Sequence, residues 1–152
     1  MSRTVVLDSG PLGLIVHQRA APLVIECRRW IQQQLAAGNQ VIVPAIVSYE
    51  LRRELLRLKH ERSIQLLDAF IAAEPGRDLA LTDAHLRHAA SLWADLRREG
   101  RSTADPHALD IDVILAAQTL SLRLDPSQFV VATTNLAHLD RLVPAQLWEQ
   151  IK

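Results

Sequence analysis

The chain has a single cysteine, Cys27, among 152 residues. That excludes an internal disulfide and leaves no partner for a thiolate metal cluster, which suits a reducing compartment; Cys27 itself reads as a half-buried helix residue. Charge of one sign is also lacking, because 17 Lys and Arg stand against 17 Asp and Glu. No overall field therefore announces a polyanionic partner, although a local basic patch survives a zero sum. No stretch approaches the roughly 18 uninterrupted apolar residues of a membrane span. The start, MSRTVVLDSGPLGLIV, is apolar enough to suggest a signal peptide, but Asp8 interrupts it and no small-residue cleavage site follows a long apolar region. The expectation is a cytoplasmic protein with no membrane contact. Internal repeats and low-complexity segments are absent. DSGPLG has two glycines but not the G-x-x-x-x-G-K-[ST] pattern, so a phosphate loop of that type is excluded. Aromatic residues are few, and Trp30, Trp93 and Trp148 sit at helical spacing among apolar residues, which favours core packing or an oligomer interface over base stacking.

What is present is enough apolar material, 49% of residues, for one domain over 1–152 with a real core. Thr4 to Leu7 (TVVL) is short, β-branched and apolar throughout, and it stops at the turn formers DSGP. A helical pattern begins at Leu12, breaks near Pro22 and resumes through Leu35 to the stop at Gly38 and Asn39. Val41 to Val43 is a second buried strand, ended by Pro44. From Ile46 to about Ala73 apolar residues keep helical spacing, with a break at His60. Asp78 to Leu81 is a third strand, and Thr82 with Asp83 caps a helix to about Arg98. Gly100 to Ala108 has turn composition. A helix from about Asp110 to Leu124 follows, then a fourth strand, Phe129 to Ala132, one or two helical turns over Leu136 to Leu142, and a short element around Leu147 to Ile151. Strands apolar throughout and alternating with helices predict an α/β fold with a parallel sheet covered on both faces.

In such sheets chemistry gathers beyond the carboxyl ends of the strands. Asp8 directly follows the first strand, Glu50 lies a helical turn or so past the second, and Asn135 follows the fourth after Thr133 and Thr134. The helix beginning DIDVILAAQ adds two acids, Asp110 and Asp112. At ~100° per residue these point about 200° apart, so two helical residues cannot both face one site. Asp110 suits an N-cap. Asp112 shares the face of Leu115, Ala116 and Thr119, where a carboxylate must be paired, protonated or bound to a cation. Each acid also has a structural reading: Asp8 as cap of the helix after it, Glu50 as a solvent-facing residue near Arg53 and Glu54. Together, three carboxylates and a carboxamide make the oxygen-rich set that Mg²⁺ or Mn²⁺ takes. Such a set suits phosphodiester hydrolysis.

LDSGPLG, VPAIVSYELRREL, LDIDVILAAQTL and VVATTNLAHLDRL resemble, in order and approximate spacing, the successive acidic motifs of PIN-domain nucleases, a likeness running from Val5 to about Leu142. The resemblance implies a three-layer α/β/α sandwich around a central parallel sheet of four to five strands, and a metal-dependent endoribonuclease. It assigns the family's acids to Asp8, Glu50 and Asp112 as metal ligands. The fourth catalytic position falls on Asn135, where many relatives carry Asp; a carbonyl oxygen remains but the charge does not, which weakens a second metal site. Thr133 resembles the hydroxyl residue that orients this corner, and His138 stands where relatives have His or Asp, either a substrate contact or a polar surface residue. Many PIN domains of this length are VapC-like toxins of toxin-antitoxin pairs, held by a cognate antitoxin, and homodimers are common among them.

Basic residues able to hold RNA phosphates are Arg52, Arg53, Arg57, Lys59 and Arg62, then Arg97, Arg98 and Arg101, of which Arg101 borders the loop into Asp112. A solvated face with i,i+4 partners such as Glu50 or Glu54 explains most of them better. Two alternatives stand beside the toxin nuclease: a PIN-like binding module with weakened catalysis, suggested by Asn135, and a housekeeping RNA-processing nuclease. A phosphatase of the haloacid-dehalogenase type also begins with Asp after strand one. It needs a second Asp two residues on, where this chain has Gly10.

Overall fold

The computed structural model describes residues 2–100, 106–136 and 139–152. Its elements are β1 (Thr4–Leu7), α1 (Ser9–Ile15), α2 (Pro22–Ala36), β2 (Gln40–Pro44), α3 (Ala45–Leu58), α4 (Glu61–Ala72), β3 (Asp78–Leu79), α5 (Asp83–Arg98), α6 (Pro106–Leu120), β4 (Phe129–Thr133) and β5 (Ala145–Leu147), with 3₁₀ turns at Leu139–Arg141 and Trp148–Gln150. All five strands are parallel, in the order β3-β2-β1-β4-β5. The expected α/β/α sandwich with its parallel sheet is the fold observed. The chain starts in the middle of the sheet, grows outward through β2 and β3, then returns to the other side of β1. The strand order therefore reverses between β1 and β4, which opens a crevice at their carboxyl ends.

Burial explains why the strands are legible. Val5, Val6 and Leu7 of β1 and Val130, Val131 and Ala132 of β4 are almost wholly inaccessible, as central strands covered on both faces must be. β3 is shorter than its apolar run, because it is an edge strand paired only at Val43↔Asp78 and Pro44↔Leu79; Leu81 lies outside it and is exposed. Lys59 adopts a left-handed conformation (φ 57°) that ends α3, and α4 begins at Glu61, so the break at His60 is a true helix boundary. Thr82 caps α5 through a reciprocal pair: its hydroxyl accepts from the His85 N–H, and its own N–H donates to His85 Nδ1.

Several expectations are overturned. Asp110 does not cap the last long helix: α6 starts at Pro106, leaving Asp110 inside the helix, exposed beside Leu86, Trp93 and Val113. The helix also ends at Leu120 rather than Leu124, where the left-handed Arg123 (φ 53°) has turned the chain away. Of the expected Gly100 to Ala108 turn, residues 106–108 are helical and 101–105 lie outside the described residues. Trp30 and Trp148 are core residues, their rings 5.6 Å apart, and Trp30 Nε1 donates to the Ile151 carbonyl at 2.9 Å, which pins the end of the chain to α2. Cys27 is buried rather than half-buried, and burial with the nearby Glu149 charge pushes its thiol up to about 12, which disfavours the reactive thiolate. Among the described residues no helix is long and apolar enough to cross a membrane.

Gln118 is the polar residue on which these layers lock. Fully buried, its Oε1 accepts from the Ile46 N–H at 3.2 Å and its Nε2 donates to the Leu79 carbonyl at 2.9 Å. It serves as a remote cap for α3, whose N-cap residue Pro44 offers no side-chain acceptor. Gln118→Leu strands the buried Ile46 N–H and removes the partner of the half-buried Leu79 carbonyl, and urea denaturation should register a loss of about 1–3 kcal/mol; an unchanged midpoint would mean that the two groups find other partners.

Candidate active site

Asp8 is built into the end of β1. Its N–H donates to the Ala132 carbonyl at 3.0 Å, continuing the β1–β4 ladder by one residue, and its backbone then turns into α1. The carboxylate has two partners: the Ser9 N–H donates to Oδ1 at 2.8 Å, and the Thr133 hydroxyl donates to Oδ2 at 2.7 Å. Asp8 is thus both the cap of α1 and a member of the crevice; its two readings are compatible. Thr133 Oγ1 also accepts from the Asn135 N–H at 3.1 Å, so the turn after β4 and the carboxylate after β1 share one hydroxyl. Burial raises the Asp8 pKa; the bonds from Thr133 and Ser9 oppose the shift, and the Glu50 charge adds to it.

Glu50 arrives from α3, one turn and a half past β2, and lines a cleft with Ser9 and Gly10. Asp112 arrives from α6, flanked by the buried Ile111 and Val113. Burial pushes its carboxyl up to about 7, and the charges of Asp8 and Glu50 push in the same direction. The three acids, 42 and 62 residues apart in sequence by their numbering, therefore share one electrostatic environment. None has an arginine or lysine at ion-pair distance among the described residues. Nor, among those residues, are three His, Cys, Asp or Glu side chains drawn close enough to chelate an ion. The donor chemistry, all oxygen, fits a hard divalent cation that takes one or two carboxylates and keeps several waters.

Asn135 reaches the site through its backbone; its carboxamide is exposed and forms no hydrogen bond among the described residues. Arg101 and His138 lie outside the described residues. Of the basic residues named from the sequence, Arg53 lines the cleft beside Glu50. One feature escaped the sequence reading, the demand for glycine at position 10: a Cβ there would clash with Thr134 Oγ1 and lie 2.9 Å from Thr134 Cβ. The first turn of α1 can pack on the loop after β4 only without that carbon, and the signal was the glycine of DSGP.

A parallel α/β sheet with acidic residues beyond its strand ends at the topological switch point defines the class, an open parallel α/β sandwich. A family model for the PIN domain matches residues 5–141, and the chain belongs to the PIN domain family. Among solved structures it is similar to DNA-bound VapBC from Salmonella typhimurium, with 19% identity, a TM-score of 0.68, and 97% of this chain and 99% of that one covered. It is similar to FitAcB from Neisseria gonorrhoeae at 16% identity and a TM-score of 0.68, over 97% and 99% of the chains. VapBC2 from Rickettsia felis, bound to a DNA fragment from their promoter, matches at 15% identity and a TM-score of 0.67, over 95% and 98%. At these identities the likeness establishes the shared fold. Comparison with curated proteins gives no match.

Two outcomes are expected. Gly10→Ala should force the Thr133–Thr134 turn off Asp8 and cost about 1–3 kcal/mol in urea denaturation, with part of the loss recovered in the G10A/T134A double variant; additive losses would disprove the contact. The second concerns pH. Asp112 has a folded value of about 7 against roughly 4 unfolded, so its protonated form favours the native state. Stability of the metal-free protein from this group is full below pH 4 and is lost as pH rises through 7. Asp112→Asn should match the parent near pH 4 and exceed it above pH 7 by about 1–2 kcal/mol, solvent screening of the half-exposed side chain limiting the gain. Parallel stability profiles across that range would contradict the assignment.

Proposed function

We propose that the chain is a metal-dependent endoribonuclease that hydrolyses RNA phosphodiester bonds, with Asp8, Glu50 and Asp112 as ligands for Mg²⁺ or Mn²⁺. The observation that carries this reading is three carboxylates at one end of the sheet, none ion-paired with an arginine or lysine among the described residues, and one of them raised to about 7. Leaving such charges half-buried and bare is costly, and a divalent cation removes the cost. When bound, the cation supplies Lewis acidity, lowering the pKa of water and drawing charge from the phosphate.

The chain's own part is positional. Thr133 and the Ser9 N–H hold the Asp8 oxygens in fixed directions, and the rigid end of the sheet keeps α3 and α6 at set distances from them. Asn135 contributes a carbonyl oxygen at most, so the site leans on the other three side chains. A weakened binding module remains the second reading because Asn135 brings no charge to the fourth position.

Membership in the PIN family and the VapBC neighbours favour the toxin of a type II toxin-antitoxin pair over a housekeeping nuclease, acting in the cytoplasm as a homodimer and restrained by a cognate antitoxin. A short neighbouring reading frame with a DNA-binding pattern would support that role, and its absence would favour the housekeeping alternative.

Asp8→Asn and Asp112→Asn should each reduce Mn²⁺-dependent RNA cleavage to background, with Asp110→Asn fully active; isothermal calorimetry should register Mn²⁺ binding to the parent and its loss in D112N. Asn135→Asp should tighten that binding. Full cleavage by both D8N and D112N would refute the nuclease, and a parent that does not bind Mn²⁺ at millimolar concentration would favour the binding module.

A further inference from the structure

The three arginines of α3 carry the same charge on neighbouring turns but are held differently. Arg52 is ion-paired with Asp68 of α4, and Arg57 with Glu54. Arg53 has no carboxylate at ion-pair distance among the described residues; its guanidinium lies over the ring of Tyr49, 5.3 Å from the centroid. Tyr49 is 56% exposed and immediately precedes Glu50. Arg53 also lines, with Ser9, Gly10, Glu50 and Glu54, a cleft of about 260 Å³ beside the acidic crevice. Glu54, the other acid of that cleft, is taken up by Arg57. Arg53 is therefore an exposed cation at the rim of the site, near Glu54 but held over an aromatic face without a direct ion pair among the described residues.

A polyanion approaching Asp8, Glu50 and Asp112 meets carboxylates of its own sign, so binding needs a cation close to the site and not spent on a salt bridge. A guanidinium meets that need well, because its planar fork matches two phosphate oxygens. The cleft is small and shallow, which suits one strand and not a duplex groove. The exposed ring of Tyr49 offers an unpaired base a surface to lie on, a recognition mode available to single strands.

We propose that Arg53, oriented by Tyr49, binds a backbone phosphate of single-stranded RNA next to the bond positioned for hydrolysis. This rests on the nuclease reading of the same crevice. Arg53 makes the phosphate contact, and Tyr49 orients it while offering its exposed ring to a neighbouring base.

The test uses the full chain with a fluorescein-labelled single-stranded RNA, its affinity followed by anisotropy over a range of NaCl concentrations and its cleavage followed with Mn²⁺. Arg53→Ala should weaken binding about 5–10-fold, lower the slope of log affinity against log salt by about one, and raise KM with kcat nearly unchanged. Arg52→Ala and Arg57→Ala, which remove equal charge from the same helix, should stay within about twofold of the parent. Tyr49→Phe should bind like the parent and Tyr49→Ala should not, with thermal melts verifying that all variants fold. Equal losses in R52A, R53A and R57A would overturn the proposal in favour of diffuse charge, as would an unaffected R53A or equal affinity for duplex RNA. A parent that cleaves RNA with R53A unchanged overturns this inference alone. Binding through Arg53 without metal-dependent cleavage overturns the nuclease reading alone, and a parent that neither binds nor cleaves overturns both.

Discussion

The hydrogen bond from Thr133 to Asp8 ties the ends of two adjacent central strands to one carboxylate, and the crevice is organised around it. β1 and β4 run parallel in register, Leu7 opposite Ala132, so their next residues, Asp8 just past β1 and Thr133 at the end of β4, stand side by side. The same carboxylate caps α1, which fixes the direction in which the chain departs. The hydroxyl in turn holds the Asn135 N–H, so the loop after β4 is bound to the loop after β1. Gly10 allows those loops to touch. Side chains of this crevice thus stand on the most buried part of the sheet, where packing at near-crystalline density permits little movement.

Around that anchor the molecule accepts electrostatic strain. Burial raises the cost of ionising Asp8 and Asp112, the Glu50 charge adds to both, and the Asp8 charge adds to that of Asp112. A structure selected for stability alone would place an arginine among them. Instead α3 commits Arg52 and Arg57 to carboxylates outside the crevice and leaves Arg53 at its rim. The arrangement separates two tasks: the acids await a cation, and the arginine at the rim faces incoming anions. The rest of the fold offsets the strain through apolar burial and through Gln118, which joins α6 to the start of α3 and to the edge strand.

Much of the fold was legible from local patterns because central parallel strands, buried on both faces, read as unbroken apolar runs. Helix boundaries were legible where a local device sets them, as at Thr82. They were not where the device is distant or misleading. Asp110 has the chemistry of an N-cap, yet the helix begins at Pro106, and that acid is a surface residue beside α5. Gln118 carried no local signal, since a lone polar residue in an apolar helix does not announce its partners 39 and 72 residues away.

The sequence by itself determined the alternation of strands and helices, the acids that follow the strands, and through their order the PIN family, because each depends on spacing along one segment. Only the tertiary structure decided which of those acids influence one another, since strand order brings β4 beside β1 across more than a hundred residues. It also decided the separate fates of like residues: Asp110 and Asp112 on one helix, and Arg52, Arg53 and Arg57 on another. Their local sequence contexts are nearly equivalent. Burial, ion pairing and the nearest ring distinguish them, and those are properties of surfaces that meet only when the chain is folded.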